Sequence, residues 1–595
     1  MLFFFVAWTS LITLCFVIGT AILGKVKDDC FERIGDRFIV AIWLGVVILC
    51  VSLLAVSLVL PLSPLVGTVV AASLAAVALQ SPFTRTEIVA LLSALSTRWI
   101  LGFIVLELVV AASTAQVITY FDTGLYHFQV IQWLSQFKAV IGLALIHSRF
   151  GFTSSWFTLA APFNAGIFEA RIGALTGGFA FLLATFHFLI SLTRILQNRE
   201  LLEDWFLVIS SFIYLPILNL TGMQVSPSPD LPLIILTVVA TWAILILIKK
   251  RKGNHIINPT LIPLILASGA VTMKLSAIPL LVVSSFFYIF ERRLSIQRIF
   301  FCSAIVCLLL LPMLGFGIIT SGCPLYPSSL MCLDLPWSLG VQNAKEMSEV
   351  IQNWARWTGS TPANANDWNW LWHWLNSEKQ ATFLIILSIL STVGIARASN
   401  KNQVSGQNYV LALGGLGIAF MMYGAPSLRF GLGYLCVLPA FFLAAHCKIG
   451  SPGRAIAVLV ISGVSNVWLG LSTTGLAILG ATVISFLLIW FDLSKINHKF
   501  LLTVIFFLIS IVPLRMFLAS PNLQLHLLLP PQMQTPHPTE VLNRQVNDIK
   551  YIVLPHSSSQ DQCWAAELPC TPGLSYENIE LRDPERGIGG GFIRK

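Results

Sequence analysis

Charged residues are scarce in this sequence. Lys, Arg, Asp and Glu make up 11% of its 595 residues, whereas hydrophobic residues make up 56%. Because soluble globular domains carry about 25% charged residues, this composition excludes an ordinary soluble protein. A helix of about 20 apolar residues crosses the hydrocarbon core of a bilayer and satisfies its own backbone hydrogen bonds there. The composition therefore predicts an all-α polytopic membrane protein.

Several motifs of nucleotide-dependent and hydrolytic enzymes are also missing. The sequence contains no Gly-x-x-x-x-Gly-Lys-Ser/Thr phosphate loop, no Gly-x-Ser-x-Gly elbow and no His-Glu-x-x-His zinc motif. No predicted cytoplasmic segment is long enough to form a nucleotide-binding domain. We therefore expect neither ATP-driven chemistry nor nucleotide-sugar chemistry on the inner side of the membrane.

Apolar runs that could span a membrane occur about sixteen times, and several of them are short or closely paired. The predicted spans are residues 2–24, 38–60, 64–80, 99–118, 172–192, 205–222, 232–248, 257–273, 275–290, 299–320, 381–396, 408–424, 431–446, 455–471, 474–491 and 500–518.

Basic clusters follow the odd-numbered spans and fall in short loops. They include Lys25, Lys27, Arg33 and Arg37; Lys249, Lys250, Arg251 and Lys252; and Arg292, Arg293 and Arg298. The positive-inside rule makes these loops cytoplasmic and places both termini outside. The net charge of +9 therefore indicates topology rather than a nucleic-acid partner. Residues 1–5 lack the basic region of a secretory signal, which favours a retained first span.

Four of the eleven cysteines lie on the predicted outside, in two close pairs. They are Cys323 with Cys332 and Cys563 with Cys570. An oxidising compartment permits a disulfide in each pair. Four free thiols are the alternative.

Three sizeable pieces lie on the predicted outside: loop 119–171, loop 321–380 and tail 519–595. The first is expected to contain a helical stretch over residues 125–147. The second is rich in tryptophan, which indicates either anchoring at the membrane interface or stacking on a sugar or isoprenoid. The tail has a proline-rich connector and a strand-like run over residues 551–554. It is short for an independent core, so we expect it to dock on the other exterior loops.

Three charged residues fall at the same predicted membrane face. Asp122 follows the fourth span, Lys274 interrupts two apolar runs, and Arg429 lies in a short turn between spans twelve and thirteen. The cations could bind phosphate oxygens, and the carboxylate could act as a general base. Structural roles are the alternatives: Lys274 could snorkel to the interface, and Arg429 could form a salt bridge. Glu107, inside the fourth span, is expected to pair within the helix bundle.

His127 lies five residues after Asp122, a spacing that could bring both side chains to one divalent metal ion. An Asp/His pair alone is a poor metal signature, and a hydrogen-bonding role for His127 is the alternative. We therefore assign no metal ligands, and the need for a divalent metal stays open.

The segment from Tyr120 to His127 resembles the acidic first-loop motif of the GT-C superfamily. These integral-membrane glycosyltransferases use polyprenyl-phosphate-linked sugars. Pro426-Ser427-Leu428-Arg429-Phe430 resembles their Pro-x-x-Arg-Tyr/Phe turn. The chain resembles more closely an uncharacterised family of bacterial polytopic proteins. That likeness lies in Asp122-Thr123-Gly124-Leu125-Tyr126-His127, Ser321-Gly322-Cys323-Pro324-Leu325-Tyr326-Pro327, Asp561-Gln562-Cys563-Trp564 and Leu568-Pro569-Cys570-Thr571-Pro572.

The GT-C resemblance implies sugar transfer from a lipid-linked donor to an unknown acceptor on the exoplasmic face of a bacterial inner membrane. Asp122 and His127 would be catalytic, and Lys274 and Arg429 would bind the donor phosphate. Acceptor or lipid contacts would come from Tyr126, Tyr326 and Trp337. Because the motif acid of the superfamily normally follows the first span, residues 1–98 would be an N-terminal addition. Residues 99–518 would form the GT-C-like core, and residues 519–595 would form the exoplasmic tail.

Two other classes of function remain as alternatives. A transporter or flippase would account for the many spans and for the intramembrane Glu107, although the sequence has no internal repeat of the kind common in transporters. A non-catalytic assembly or scaffold protein is the third interpretation. The arrangement of Asp122, Lys274 and Arg429 discriminates among these classes, since a transferase needs all three in one place.

Overall fold

The computed structural model describes residues 1–26, 31–249, 255–291, 294–359, 361–362, 369–399, 404–447, 527–535, 542–553, 562–576 and 578–595. The predicted spans 455–471, 474–491 and 500–518 lie outside the described residues.

Helices dominate the described part of the chain. In chain order the α-helices are α1 (Leu2–Lys25), α2 (Ile34–Ser57), α3 (Pro64–Leu79), α4 (Pro82–Ala94), α5 (Thr97–Thr114), α6 (Phe128–Gln136), α7 (Ser155–Ala160), α8 (Leu175–Leu196), α9 (Leu202–Leu220), α10 (Asp230–Leu247), α11 (Leu261–Met273), α12 (Ile278–Phe290), α13 (Ile296–Ser321), α14 (Gly340–Trp357), α15 (Asn369–Ser377), α16 (Lys379–Ser399), α17 (Gln407–Gly424) and α18 (Leu428–Cys447).

Eight helices in the described residues are long and apolar enough to cross a membrane, judged by length and composition: α1, α2, α8, α9, α10, α13, α16 and α18. Helices α3 and α4 add a ninth candidate if they count as one broken span, since they meet at 94°. Pro82 opens α4, and a proline disfavours helical backbone in the residue before it, so the helix breaks there. The helical membrane architecture is confirmed, and the count of sixteen spans stays a prediction.

Every residue of α10 is buried, and so are most residues of α2. Helices α1 and α2 pack closely: a Cβ on Gly19 would lie 1.7 Å from the carbonyl oxygen of Ala41, so only glycine fits. Both helices share one hydrophobic cluster with α8 to α11. The proposed boundary at residue 98 stays a prediction.

One end of the bundle holds a network of ion pairs. Arg33 contacts Asp36 and Asp204 at 2.7 Å each, and Arg194 contacts the same two carboxylates at 2.6 and 3.1 Å. Lys249, at the end of α10, pairs with Glu203 of α9 at 2.5 Å. Several of the basic residues that predict the cytoplasmic side are therefore neutralised by acids that meet them at the same end.

Loop 119–171 and the tail meet at the opposite end. The prediction of a helical stretch over residues 125–147 is wrong beyond Gln136, where α6 ends. A π-helix covers Thr123–His127, α6 follows it, and Phe137 then turns to extended backbone. Farther along, the N–H of Ala139 donates to Ser57 at the end of α2, and that of Gly142 donates to Ile319 near the end of α13. These donors pair with neighbouring helix ends instead of extending a helix.

The tail contains a small amount of β-structure within this helical protein. Its strands are β1 (Leu542–Val546), β2 (Ile549–Val553), β3 (Cys570–Thr571), β4 (Ile579–Leu581) and β5 (Phe592–Arg594). β2 pairs antiparallel with β1 and parallel with β3, and β4 pairs antiparallel with β5. The strand-like run predicted over 551–554 thus corresponds largely to β2. Both predicted disulfides, Cys323–Cys332 and Cys563–Cys570, are confirmed.

Candidate functional site

Asp122 and Arg429 form an ion pair although 307 residues separate them. An Nη1 atom of Arg429 lies 2.5 Å from Oδ2 of Asp122 and 3.3 Å from the hydroxyl of Tyr120. Asp122 immediately precedes the π-helix, and Arg429 is the second residue of α18. Both side chains are about four-fifths covered. The pairing thus joins the first exterior loop to the start of a predicted span.

Lys274 joins the same cluster at the break between α11 and α12. Its ammonium lies 4.0 Å from the centre of the Phe430 ring, and the guanidinium carbon of Arg429 lies 4.7 Å from that ring. Two cations therefore lie against one aromatic ring, which attracts each of them. The three charges that the sequence singled out are brought together.

Asp230 is a functional candidate that the sequence analysis missed. It is the first residue of α10, is only 2% exposed, and forms a salt bridge with Lys274. The hydroxyl of Ser228 donates to its other carboxylate oxygen at 3.2 Å. In the sequence, Asp230 appears only as an acid just before the apolar run 232–248. Because acids are common in the first turn of any helix, that signal does not stand out.

The Asp122 segment is tied by a side-chain hydrogen bond to the connection between α9 and α10. The hydroxyls of Thr123 and Ser226 hydrogen-bond at 2.7 Å, and both residues are fully buried. The N–H of Ser228 donates to the same Ser226 hydroxyl at 3.1 Å. Asp122 and Asp230 are therefore held by one polar junction.

Electrostatics keep Asp122 ionised. Burial by itself raises the pKa of this carboxyl, but the Arg429 guanidinium, together with Lys274, outweighs burial and leaves the pKa below its usual value. For Lys274, burial is the largest influence and lowers the pKa of the ammonium, while Asp230 opposes that shift. The charge state of each group depends on its partner.

His127 lies within the cluster but is almost fully buried, at 1% exposed. Its ring packs 4.4 Å from that of Tyr126 and 5.3 Å from that of Phe157. Burial lowers the pKa of His127 to about 4, against the opposing effect of Asp122, so the imidazole is neutral at physiological pH. Its Nδ1 atom has no hydrogen-bond partner within the part of the chain that the structure describes.

The aromatic residues predicted to contact the acceptor are placed differently from one another. Tyr126 packs against Phe152 at 5.6 Å, and Phe152 packs against Tyr326 at 5.5 Å, so a row of rings leads away from His127. Trp337 instead donates its indole N–H to the carbonyl of Ile318 at 3.0 Å, near the end of α13. That contact gives Trp337 a structural role, and its predicted acceptor contact stays a prediction.

A cavity of about 500 Å³ opens beside Arg429, between the end of α9, the α15–α16 junction and the start of α18. It is lined by Tyr120, Ile217, Thr221, Met223, Ser377, Glu378, Lys379, Gln380, Ser427, Leu428, Arg429 and Leu432. Glu378 is a second carboxyl that the sequence analysis missed. Burial raises the pKa of Glu378, and Arg429 opposes the shift. The cavity combines charged groups with an apolar wall.

The tryptophans of loop 321–380 do not share one role. Trp354 lies against Arg429, with the guanidinium carbon 4.8 Å from its ring centre. Trp374 is fully buried and donates its indole N–H to the carbonyl of Pro426, two residues before α18 begins. Trp372 is 74% exposed, as an interfacial anchor would be. Loop 321–380 thus supports the Arg429 turn directly.

The tail docks on loop 119–171, as predicted. The N–H of Met533 donates to Ala170 at 2.6 Å, and the N–H of Phe592 donates to Ile141 at 2.8 Å. The N–H of Trp564 donates to the carbonyl of Gly124 at 2.9 Å, directly behind Asp122. The start of the chain lies at the same end, since the N–H of Leu2 donates to Leu527.

Glu107 lies away from this cluster. Its two carboxyl oxygens accept hydrogen bonds from the hydroxyl of Thr9 at 3.0 and 3.1 Å, which links α5 to α1. This contact is a pairing within the bundle, the role that the sequence favoured over chemistry.

A divalent metal is poorly supported by the described residues. Among them, no group of three or more His, Cys, Asp or Glu side chains could hold a metal ion. The Asp122 carboxylate is already paired with the Arg429 guanidinium, which supplies the positive charge that a metal ion would otherwise provide.

The fold and the site together define a helical membrane protein with a charged, cavity-bearing cluster at one end of its bundle. The chain belongs to the family of domains of unknown function DUF8201, whose model matches residues 1–436. The matched region includes Asp122, Asp230, Lys274 and Arg429 and stops short of the tail. Neither a curated protein nor a solved structure matches the chain.

Proposed function

We propose that this protein is a GT-C-like membrane glycosyltransferase. It would move a sugar from a polyprenyl-phosphate carrier to an acceptor on the exoplasmic face of a bacterial inner membrane, with both termini on that face. The observation that supports this proposal is that Asp122, Lys274 and Arg429 lie in one cluster beside a cavity of about 500 Å³. A carboxylate and two cations at one place are the groups that transfer from an anionic lipid donor requires.

Arg429 is the donor-phosphate ligand in this proposal. One of its Nη atoms is engaged by Asp122 and Tyr120, whereas its buried Nε has no hydrogen-bond partner in the described residues. It also lines the cavity at the start of α18, where the partial positive charge of a helix N-terminus favours an anion. The apolar wall formed by Ile217, Leu428 and Leu432 would accept the first part of a lipid chain.

Donor binding would then activate Asp122 as the base. A phosphate that captures Arg429 removes the chief influence that holds the pKa of Asp122 down. The remaining effect of burial raises that pKa, and a carboxylate of higher pKa is a better proton acceptor. Asp122 would take the proton of the acceptor nucleophile as its oxygen or nitrogen bonds to the sugar and the lipid phosphate leaves.

A transfer assay with the Asp122→Asn variant tests this proposal. We expect the variant to fold and to lose transfer by about 10²–10⁴-fold, the usual contribution of a general base. The measurement uses purified protein in nanodiscs, supplied with a labelled polyprenyl-phosphate sugar and a mixture of candidate acceptors. Thermal unfolding of the same samples verifies folding.

Asp334→Asn is the matched control. Asp334 lies in loop 321–380, its side chain is 99% exposed, and its contact with Arg594 is at the surface. We expect this variant to transfer at the wild-type rate, because exposed ion pairs contribute little. Transfer by folded Asp122→Asn protein at the wild-type rate would exclude the base role.

A further inference from the structure

A short disulfide-closed segment of the tail contacts the backbone on both sides of Asp122. We name residues 562–570 the tail clamp and propose that the clamp positions the Asp122 carboxylate against Arg429. The side-chain amide of Gln562 donates to the carbonyl of Phe121 at 2.7 Å. The N–H of Trp564 donates to the carbonyl of Gly124 at 2.9 Å. The two acceptors are the residue just before Asp122 and the second residue after it.

The Trp564 ring also requires glycine at position 124. A Cβ built on Gly124 would lie 2.4–2.8 Å from three ring atoms of Trp564, which is closer than such contacts occur. The ring is 5% exposed, so it has little room to move aside. The Trp564 ring of the tail clamp therefore packs directly against the backbone of the Asp122 turn.

The clamp is held in place by hydrogen bonds from α6 and by its own disulfide. The side-chain amide of Gln129, on α6, donates to the carbonyls of Trp564 and Ala566 at 3.1 and 3.0 Å. The Cys563–Cys570 disulfide closes the segment, and both cysteines are fully buried. The clamp is thus fixed to α6, which begins directly after the π-helix that follows Asp122.

All of these contacts go to backbone atoms or to Gly124, so the clamp acts through Asp122 and is a positioning element rather than a catalytic one. Fixing the carbonyls that flank Asp122 fixes its Cα–Cβ direction and so limits the positions that its carboxylate can reach. The contact with Arg429 at 2.5 Å needs such control, because a displacement of about 1 Å in a reacting geometry can cost 10²-fold in rate. The effect on turnover rests on the proposed function, whereas the effect on loop order does not.

Hydrogen–deuterium exchange of the full-length protein in nanodiscs tests the clamp. The variants are Cys563→Ser with Cys570→Ser, which opens the segment, and Gln562→Ala, which removes one donor and keeps the disulfide. We expect peptides that cover residues 119–131 to exchange roughly tenfold faster in both variants, as the loss of one or two hydrogen bonds predicts. Turnover in the transfer assay should fall through kcat without a rise in the KM for the donor, because Arg429 stays in the cavity and only its contact with Asp122 is loosened.

Cys323→Ser with Cys332→Ser is the matched control, since it removes the other exterior disulfide. It should speed exchange in residues 321–340 and leave residues 119–131 at the wild-type rate. If both tail variants left exchange in 119–131 unchanged, or if the control changed it equally, the positioning role would be refuted. If the tail variants exchanged faster but the wild-type protein showed no transfer, the positioning role of the clamp would stand and the glycosyltransferase proposal would be rejected.

Discussion

Individual charges were the most informative part of this sequence. Asp122, Lys274 and Arg429 stood out because a charge at the edge of an apolar run is costly and usually has a partner. The structure pairs Asp122 with Arg429 and Lys274 with Asp230. Asp230 could not be singled out in advance, because an acid at the start of a helix is ordinary. Partner identity depends on contacts across the fold, which no local pattern encodes.

His127 gives a prediction at the scale of one residue. Its folded pKa is about 4 against about 6.5 for a free imidazole, so burial makes the folded state resist protonation. The stability associated with neutral His127 is complete above about pH 6.5 and is lost as the pH falls toward 4, at most roughly 3 kcal/mol. His127→Gln should therefore flatten the fall in unfolding free energy over that range, measured by denaturation in detergent.

His373→Gln serves as the control for this experiment. His373 lies in α15 at the same end of the bundle and is exposed, so its replacement controls for the exchange of a histidine for glutamine as such. An unchanged slope in His127→Gln would show that His127 is not held neutral by burial.

The ends of helices assemble the site. Asp230 opens α10, Lys274 separates α11 from α12, and Arg429 lies in the first turn of α18. Apolar run lengths located these ends within a few residues, which is why the sequence placed Lys274 and Arg429 correctly at turns. The π-helix after Asp122 and the early end of α6 at Gln136 could not be foreseen. Both depend on backbone hydrogen bonds to distant segments, such as the one from Ala139 to Ser57.

The Lys274–Asp230 pair gives a prediction at the scale of helices, because it ties α10 to the α11–α12 turn. Removing either partner leaves the other charge largely buried, since the two side chains are 25% and 3% exposed. We expect Lys274→Met and Asp230→Asn each to lower the unfolding free energy by roughly 2–4 kcal/mol. The double variant should recover part of that loss, which a double-mutant cycle in detergent measures.

Lys249 and Glu203 provide the comparison pair at the other end of α10. Their side chains are 32% and 4% exposed, nearly as covered as those of Lys274 and Asp230, so we expect a coupling energy of similar size. Additive losses for Lys274→Met and Asp230→Asn would mean that the salt bridge does not couple the helices.

At the scale of the whole molecule, charge is divided between the two ends of the bundle. Arg33 and Arg194 pair with Asp204 and Asp36 at one end, and the Asp122 cluster lies at the other end. The positive-inside rule predicted that the basic clusters gather at one end, and the sequence predicted that the tail docks on the other exterior loops. It could not predict that Gln562 and Trp564 contact the carbonyls beside Asp122, because such pairing has no local signature.

The central claim is that Arg429 binds the donor phosphate and that Asp122 competes for the same guanidinium. Binding of a polyprenyl-phosphate sugar to wild type, Asp122→Asn and Arg429→Ala in nanodiscs tests it most directly. We predict that Asp122→Asn binds the donor at least as tightly as wild type, whereas Arg429→Ala binds it about tenfold or more weakly, as loss of a charged hydrogen bond implies. Equal binding by wild type and folded Arg429→Ala protein would contradict the account.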